Sequence, residues 1–476
     1  MIPDSVDVAI LGSGFAGSLT ALILNRIGLS VVLLERGTHP RFAIGESSTP
    51  AADFILADLV QKYGLTALEP LTSYGTWRAQ RPELVCGLKR GFSYFKHTAG
   101  QPFAAAPHHR NELLVAASAT DEHADTHWLR ADVDHFMCGQ VQTAGIPYVD
   151  QVEMHTTPVS TGWSLDGHRS EGPVHCTARF VIDATGAAGI LPRTLNIANR
   201  SSQCSTQSRA IFGHFQGVAP WRDIIGPDAC FDYPFACDNG ALHHILDDGW
   251  MWQLRFDNGI TSAGFCLNTV QYPLDSNRSV QAEWHELLAS HPSIARQFGQ
   301  ARCIGPQTGI VRTKRLQRRW ASAAGQNWAL LPHTAGFIDP LHSTGIAHAL
   351  IGVERLTHIL ESHWDASTLS PQLDYYSRSI NRELDLIDRL VQVCYCSMRD
   401  FDLFVPCSML YFTCAIAWEH RRSSSTSLRP ELLCADDMEI NAMVDACLKK
   451  LRSVIRSPNK TAPIPSAVAN RFRADI

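Results

Sequence analysis

No Cys-x-x-Cys pair occurs in this chain, although it holds 14 cysteines. They are scattered (Cys86, Cys138, Cys176, Cys204 and onward) with no disulfide-framework spacing, and 476 residues can bury a core without such staples. The closest pair, Cys394 and Cys396, would point apart on a helix, which argues against shared metal ligation. Reduced thiols and no metal are expected. A surplus of basic charge is also missing. With 41 Lys and Arg against 46 Asp and Glu, the net charge is −5, so no electrostatic footprint for nucleic acid is expected. No apolar run reaches the roughly 18 residues that a membrane-spanning helix needs. The N-terminal apolar stretch has no basic lead and is broken by Gly12, Ser13, Gly14 and Gly17, unlike a signal peptide. The Asn-x-Ser/Thr matches at Asn199, Asn277 and Asn459 have no secretory context. There is no internal repeat. A cytoplasmic location is expected.

What is present is the composition of a globular protein, 45% apolar and 18% charged. The length predicts two or three subdomains around more than one core. Residues 6–11 read as a short buried parallel strand closed by glycine, residues 15–27 as a helix, and Val31 to Glu35 as a second strand. Turn chemistry follows in Arg36-Gly37-Thr38-His39-Pro40, which completes a βαβ unit. Val181–Gly186 and Trp328–Pro332 are further apolar runs, so the nucleotide-binding domain is interrupted by insertions. Alternation between about 200 and 305, with Asp257-Asn258-Gly259 as a hairpin turn, predicts antiparallel sheet. Beyond about 365 the spacing of Leu384, Ile387, Leu390 and Val391 is helical. Arg421–Ser427 is expected to be a polar loop, and the tail around Pro463-Ile464-Pro465 an extended strap.

The fold class is therefore α/β. A Rossmann-like nucleotide-binding domain spans 1–200, with a substrate-domain insertion at about 75–125, and resumes at 306–364. A β-sheet substrate domain occupies 201–305, and a helical region 365–476. Gly12-Ser13-Gly14-Phe15-Ala16-Gly17 is a GxGxxG fingerprint. Gly12 would make the tight turn, Gly14 admit a pyrophosphate against the backbone, and Gly17 let helix and strand pack closely. Glu35 ends the next strand, where a carboxylate can accept hydrogen bonds from ribose hydroxyls.

The choice of FAD over a nicotinamide dinucleotide comes from resemblance. Asp183-Ala184-Thr185-Gly186 and the turn Asp339-Pro340 to Gly345 resemble later flavin-contacting motifs of the FAD-dependent monooxygenase superfamily. In that comparison Asp183, Gly186, Asp339 and Gly345 are cofactor-binding. Arg130 matches a flavin-binding arginine; its plainer reading is a surface salt-bridge partner. Three further segments resemble the flavin-dependent halogenases of that superfamily, in particular those acting on phenols. Gly249-Trp250-Met251-Trp252 is similar to the front of their Trp-x-Trp-x-Ile-Pro motif. Cys86 to Tyr94, carrying Lys89, is similar to their lysine-bearing strand. Phe337 to Ile346 is similar to their halide and flavin loop.

The resemblance implies an enzyme in which reduced FAD, oxygen and chloride or bromide give hypohalous acid. A closed tunnel flanked by Trp250 and Trp252 would carry the acid to Lys89, the catalytic residue. Lys89 would hold the halogen by hydrogen bond or as a haloamine and present it to a small phenolic ring. A haloamine needs the neutral amine, and burial shifts a lysine in that direction. Ser343, Thr344 and Gly345 would line the halide site, with Ser343 doubling as a helix cap. No second nucleotide fold for NAD(P)H is evident, so a separate flavin reductase is the implied partner. From pattern alone, Lys89 reads as solvent-facing and the two tryptophans as core.

The chain departs from the family pattern at three places. Leu254-Arg255 stands where Ile-Pro completes the tryptophan motif. His342 replaces the glutamate of tryptophan halogenases, which argues against free tryptophan as substrate. Pro332-His333 replaces a Gly-Asp. His342 and His333 are each either a base for a phenol or a structural histidine. Two alternatives stay open: a flavin monooxygenase or oxidase on this scaffold, and a non-catalytic flavin-binding protein.

Overall fold

The computed structural model describes residues 2–424 and 430–455. Its first layer is a mostly parallel sheet built on β1 (Ser5–Leu11), α1 (Phe15–Arg26) and β2 (Val31–Leu34). The strand order is Ala324–Gly325, Trp328–Leu330, Gly172–Asp183, β1, β2 and Tyr148–Val149. β1 lies between two parallel neighbours, with Ile10 opposite both Ile182 and Leu33. That central place explains its unbroken apolar run, because parallel strands are covered on both faces. Helix α1 is buried from Phe15 through Leu24, which accounts for its apolar character all round.

The second layer is a larger sheet, ordered Arg302–Gly305, Ser208–Gln216, Ile260–Asn268, Gly249–Arg255, Ala241–Ile245, Gly91–Lys96 and Glu112–Ala116. Its hairpin turns at Gly259, where φ is +81° and glycine is at ease. Strands from the 91–116 region and from the 208–305 region thus share one sheet, joined by the parallel pairing of Ala241–Ile245 with Gly91–Lys96.

Helices Thr344–His363, Leu369–Ser397, Phe401–Ser424 and Met438–Ile455 complete the fold. Leu384, Ile387, Leu390 and Val391 are all buried on the second of these. Two expectations are corrected here. Arg421 to Ser424 are helical, because the helix from Phe401 runs on past its apolar stretch instead of ending in a loop at Arg421; the rest of that expected loop, and the Pro463–Pro465 tail, lie outside the described residues. Phe401–Ser424 is also long and apolar enough to cross a membrane by length and composition. Its Phe404, Cys407, Leu410, Phe412 and Trp418 are buried in the protein core.

The Cys86–Tyr94 stretch forms two strands, where one had been expected. Cys86–Lys89 pairs with Asp125–Trp128 in a separate two-stranded ribbon, and Gly91–Lys96 joins the large sheet. The break falls at Arg90, whose amide donates to the Asn239 carbonyl. All 14 cysteines are free thiols.

Candidate active site

At the end of β1 the backbone turns through Gly12, at φ +98°, and enters α1. A Cβ on Gly12 would lie 2.7 Å from the Ala184 oxygen, and one on Gly17 only 2.0 Å from the Gly12 oxygen. Gly14 faces the Arg130 guanidinium and the Asp134 carboxylate, each 3.6 Å from where its Cβ would be. The turn is therefore a bare-backbone cradle at a helix start with an arginine beside it, which fits a dinucleotide pyrophosphate. An adjoining cleft of about 640 Å³ is lined by Gly12, Glu35, Arg41, Ala184 and Thr185, among others.

Glu35 accepts hydrogen bonds from the Ser13 amide and hydroxyl, both at 3.0 Å, and from the Gly37 amide at 2.8 Å. Burial works to raise its pKa, but these bonds and the Arg41 charge outweigh it and hold the pKa low. Glu35 stays ionised, and its remaining lone pairs can serve ribose hydroxyls. Arg130 opens the helix Arg130–Thr143 and grips Asp134 through two bonds of 2.9 Å. Its third nitrogen donates to the Ile44 and Gly45 carbonyls at 3.1 Å. It is thus a salt-bridge partner that also flanks the cradle.

Asp183 is fully buried, and both its oxygens are taken by the chain itself. They accept from the Thr185 amide at 2.9 Å and the Leu191 amide at 2.8 Å. Asp183 therefore shapes the turn that carries Gly186. Gly186 sits at φ +61°, with its amide donating to the Thr334 hydroxyl. Ser13, Arg41, Asp134 and Thr334 escaped the sequence reading. Only the small residue between two fingerprint glycines gave any signal.

On the two-stranded ribbon, Lys89 has no exposed surface. Its ammonium donates to the Ser48 carbonyl and stands 4.2 Å over the Phe92 ring. Lys89 lies opposite Asp125 in the ribbon, and Asp53, at the start of the helix Pro50–Tyr63, also acts on it electrostatically. Burial pulls the lysine pKa down to about 8, against the attraction of the two carboxylates. Burial also raises Asp53 and Asp125, the latter to about 6. The lysine and the two carboxyls act on one another electrostatically within one buried site, so their titrations are linked. The expectation of a solvent-facing lysine on pattern alone is overturned.

Trp250 and Trp252 lie on one face of their strand, with ring centres 6.0 Å apart, and both are buried. Trp250 donates to the Tyr395 hydroxyl at 3.1 Å, which donates to Asp339 at 2.9 Å. Ser208 donates to the same Asp339 oxygen at 2.6 Å. Burial lifts Asp339 to about 6. His243 fills the space between, 5.1 Å from Trp250 and 4.7 Å from Tyr94. Arg255 turns to the far side of the strand, onto Asp238 at 3.2 Å and the Val218 and Ala219 carbonyls.

Ser343 holds the N-cap position of the helix Thr344–His363 but makes no side-chain cap. It sits in the left-handed region at φ 55°, ψ 24°, whereas a capping residue is extended. The expectation of a capping hydroxyl is therefore corrected. Thr344 and Gly345 form the first turn, whose amides have no intrahelical acceptor. His342 is buried, stacked on Tyr411 at 4.1 Å, and burial lowers its pKa to about 3. His333 donates to the Ala184 carbonyl, and burial lowers it to about 4. Both are neutral structural rings and too weak to act as bases near neutral pH.

A pocket of about 240 Å³ opens beside Phe92 and is lined by Thr49, Thr344, Tyr411, Phe412, Trp418 and Glu419, among others. One wall thus touches the lysine through Phe92, and another begins the helix Thr344–His363. A bare dinucleotide cradle at the parallel sheet and a buried lysine on the two-stranded ribbon, behind an aromatic pocket, are the arrangement of a dinucleotide-dependent enzyme with an enclosed site. The comparisons narrow the class. Residues 127–404 match the tryptophan halogenase family model. The monodechloroaminopyrrolnitrin halogenase PrnC of Pseudomonas fluorescens is 31% identical over 409 residues, covering 84% of this chain and 69% of the relative. The tetracycline 7-halogenase of Kitasatospora aureofaciens is 27% identical over 405 residues, covering 84% and 71%. The crystal structure of halogenase PltM in complex with phloroglucinol and FAD superposes with a TM-score of 0.87 at 23% identity, covering 99% of this chain and 95% of that one. The chain belongs to the tryptophan halogenase family and is a flavin-dependent halogenase that uses FAD.

Proposed function

We propose that this enzyme halogenates a small electron-rich aromatic, a phenol or arylamine, with Lys89 as the residue that delivers the halogen. The observation that carries the reading is Lys89 itself, sealed from water with a depressed pKa and facing Phe92 on the pocket wall. Gly12, Gly14, Gly17, Glu35, Arg130, Gly186 and Gly345 would hold the FAD, with Asp183 and Asp339 fixing the turns that present them. Reduced FAD, when bound, supplies the electrons for converting oxygen and halide to hypohalous acid. Thr344 and Gly345 would offer amides to the halide, with Ser343 setting the turn before them. Trp250 and Trp252 would keep the organic substrate from the cofactor. Lys89 in its neutral form would take the halogen on its amine and pass it to the ring. The aminopyrrolnitrin after which PrnC is named and the phloroglucinol bound to PltM are both electron-rich aromatics, which agrees with this class.

The reading brings a separate NAD(P)H-dependent flavin reductase as partner, and a cytoplasmic location where reduced nicotinamide is available. A monooxygenase would be favoured if Arg255, standing where the motif has proline, reshaped the tunnel. Arg255 is bonded to Asp238 on the other side of the strand, so that support is gone. The test is aerobic turnover with FAD, a reductase, NADH and chloride or bromide, on a panel of phenols and arylamines. Products carrying the halogen isotope pattern, lost in Lys89→Ala, are expected. Oxygenated product or peroxide alone, indifferent to halide, would refute it.

A further inference from the structure

The pocket beside Lys89 is largely apolar, with the hydroxyls of Thr49, Thr344 and Tyr411 and a single carboxylate in its lining. Its walls are Phe92, Val115, Ala347, Phe412, Ala415, Trp418 and Leu433 with their neighbours, and into this lining the helix Phe401–Ser424 brings Glu419. Among the described residues, Glu419 has neither a hydrogen-bond donor nor a basic partner; only burial and the negative charge of Asp125 act on it. Glu419 is half-buried, and the largely apolar surround disfavours its charge with no protein donor to offset that. Asp125 is also the carboxylate opposite Lys89, so Glu419 and the lysine face a common neighbour from two sides. The backbone at the rim is strained in the same region. Leu433, a wall residue, has φ 58°, and Ser343, just before the wall residue Thr344, has φ 55°. Branched and polar residues held there mark sites where geometry is imposed.

We infer that Glu419 is the specificity-determining residue of this pocket, accepting a hydrogen bond from an O–H or N–H donor on the aromatic substrate and so fixing which ring carbon faces Lys89. The inference rests on the reading of this pocket as the substrate site. Size agrees: a cavity of roughly 150 Å³ holds one benzene ring, so about 240 Å³ takes a ring with substituents. Phe92 and Trp418 supply aromatic side chains, and Glu419 the one carboxylate of the lining. Burial and Asp125 raise Glu419 to about 7, which lets the carboxylate draw on a phenolic proton near neutral pH as well as accept a hydrogen bond. Ring activation and ring orientation would then come from the same group.

The test uses the full-length protein and reads binding apart from turnover. Trp418 beside Glu419 gives a fluorescence signal that a ring in the pocket quenches. Resorcinol, 3-aminophenol and 1,3-dimethoxybenzene are titrated into the wild type and Glu419→Gln, with a thermal melt of each to confirm folding. The first two carry donors, and the third has the same ring without one. A charge-assisted hydrogen bond lost to a neutral amide should weaken the donor-bearing rings by about 10- to 100-fold. The dimethoxy ring should bind the two proteins alike. Equal loss for all three rings, no loss for any, or failure of every ring to bind the wild type would overturn the inference. Halogenation is assayed separately on the same proteins. Donor discrimination that depends on Glu419 without halogenated product would sink the proposed reaction and leave the inference standing.

Discussion

The proton on Lys89 sets the chemistry that its amine can do, so its titration is the sharpest measurement to make. With a pKa of about 8, about one amine in ten is neutral at pH 7. At the ordinary value of 10.5 it would be roughly one in 3,000, so the fold supplies about a 300-fold gain in nucleophilic amine. The same displacement of about 2.5 pH units corresponds to about 3 kcal/mol held against the charged form in the folded state. The group is a base with its pKa lowered by folding. Between pH 8 and 10.5 the unfolded chain therefore binds the proton that the folded one has released. Stability referred to Lys89 should rise as pH climbs through that window, and the penalty is fully present below pH 8. The assay is NMR of side-chain-labelled lysine, practical because the chain has only seven lysines, with Lys89→Met to assign the signal. A midpoint near 8 is expected, and lysine-dependent halogenation should rise up to tenfold per pH unit from 6 to 8 and then level off. A midpoint at 10 or above, or a rate that falls above pH 8, would refute the neutral-amine argument.

Asp125→Asn removes one of the two charges that raise the lysine pKa, so the Lys89 midpoint should drop below that of the wild type; an unchanged or higher midpoint would mean that the two titrations are not linked. Gly17→Ala puts a methyl group 2.0 Å from the Gly12 oxygen, which α1 cannot admit without moving off the strand. The purified protein should lose its flavin absorbance while keeping the large sheet, as read by absorbance and circular dichroism. Arg255→Ala should cost about 1–3 kcal/mol by freeing the buried Asp238, seen as a lower melting temperature, and leave the halogenated product and its yield per enzyme unchanged.

The βαβ unit was legible because its information is local: an apolar run, a glycine turn and a helix follow one another within about 35 residues. Lys89 was a different case. Its burial comes from Asp125–Trp128, a strand far along the chain, so the local pattern pointed to solvent and only family resemblance singled the lysine out. Asp53 and Asp125 went unread for the same reason, although Asp53 stands in an otherwise apolar Ala51-Ala52-Asp53-Phe54-Ile55 run that could have raised the question. Glu419 was invisible because an acid beside Trp418 near a helix end reads as a solvated residue. Ser343 was misread because residue type favours a cap while the backbone, turned left-handed, takes the hydroxyl away from the helix. Arg255 looked like an intruder in the motif, and only the position of Asp238 shows where its charge goes.

The ribbon that carries Lys89 belongs to neither sheet, and its partner strand ends at Trp128, two residues before Arg130. Lys89 and the arginine beside the dinucleotide cradle are therefore joined by one strand pairing, Lys89 with Asp125, and the short stretch from Asp125 to Arg130, independent of how the two sheets dock. Under the proposed reaction, substrate range could drift through the helix Phe401–Ser424 and the strand Glu112–Ala116 while the spacing of Lys89 from the dinucleotide cradle is kept. A lineage can thus exchange one aromatic target for another without redesigning its chemistry, and an engineer grafting a new pocket should leave residues 86–89 and 125–130 untouched.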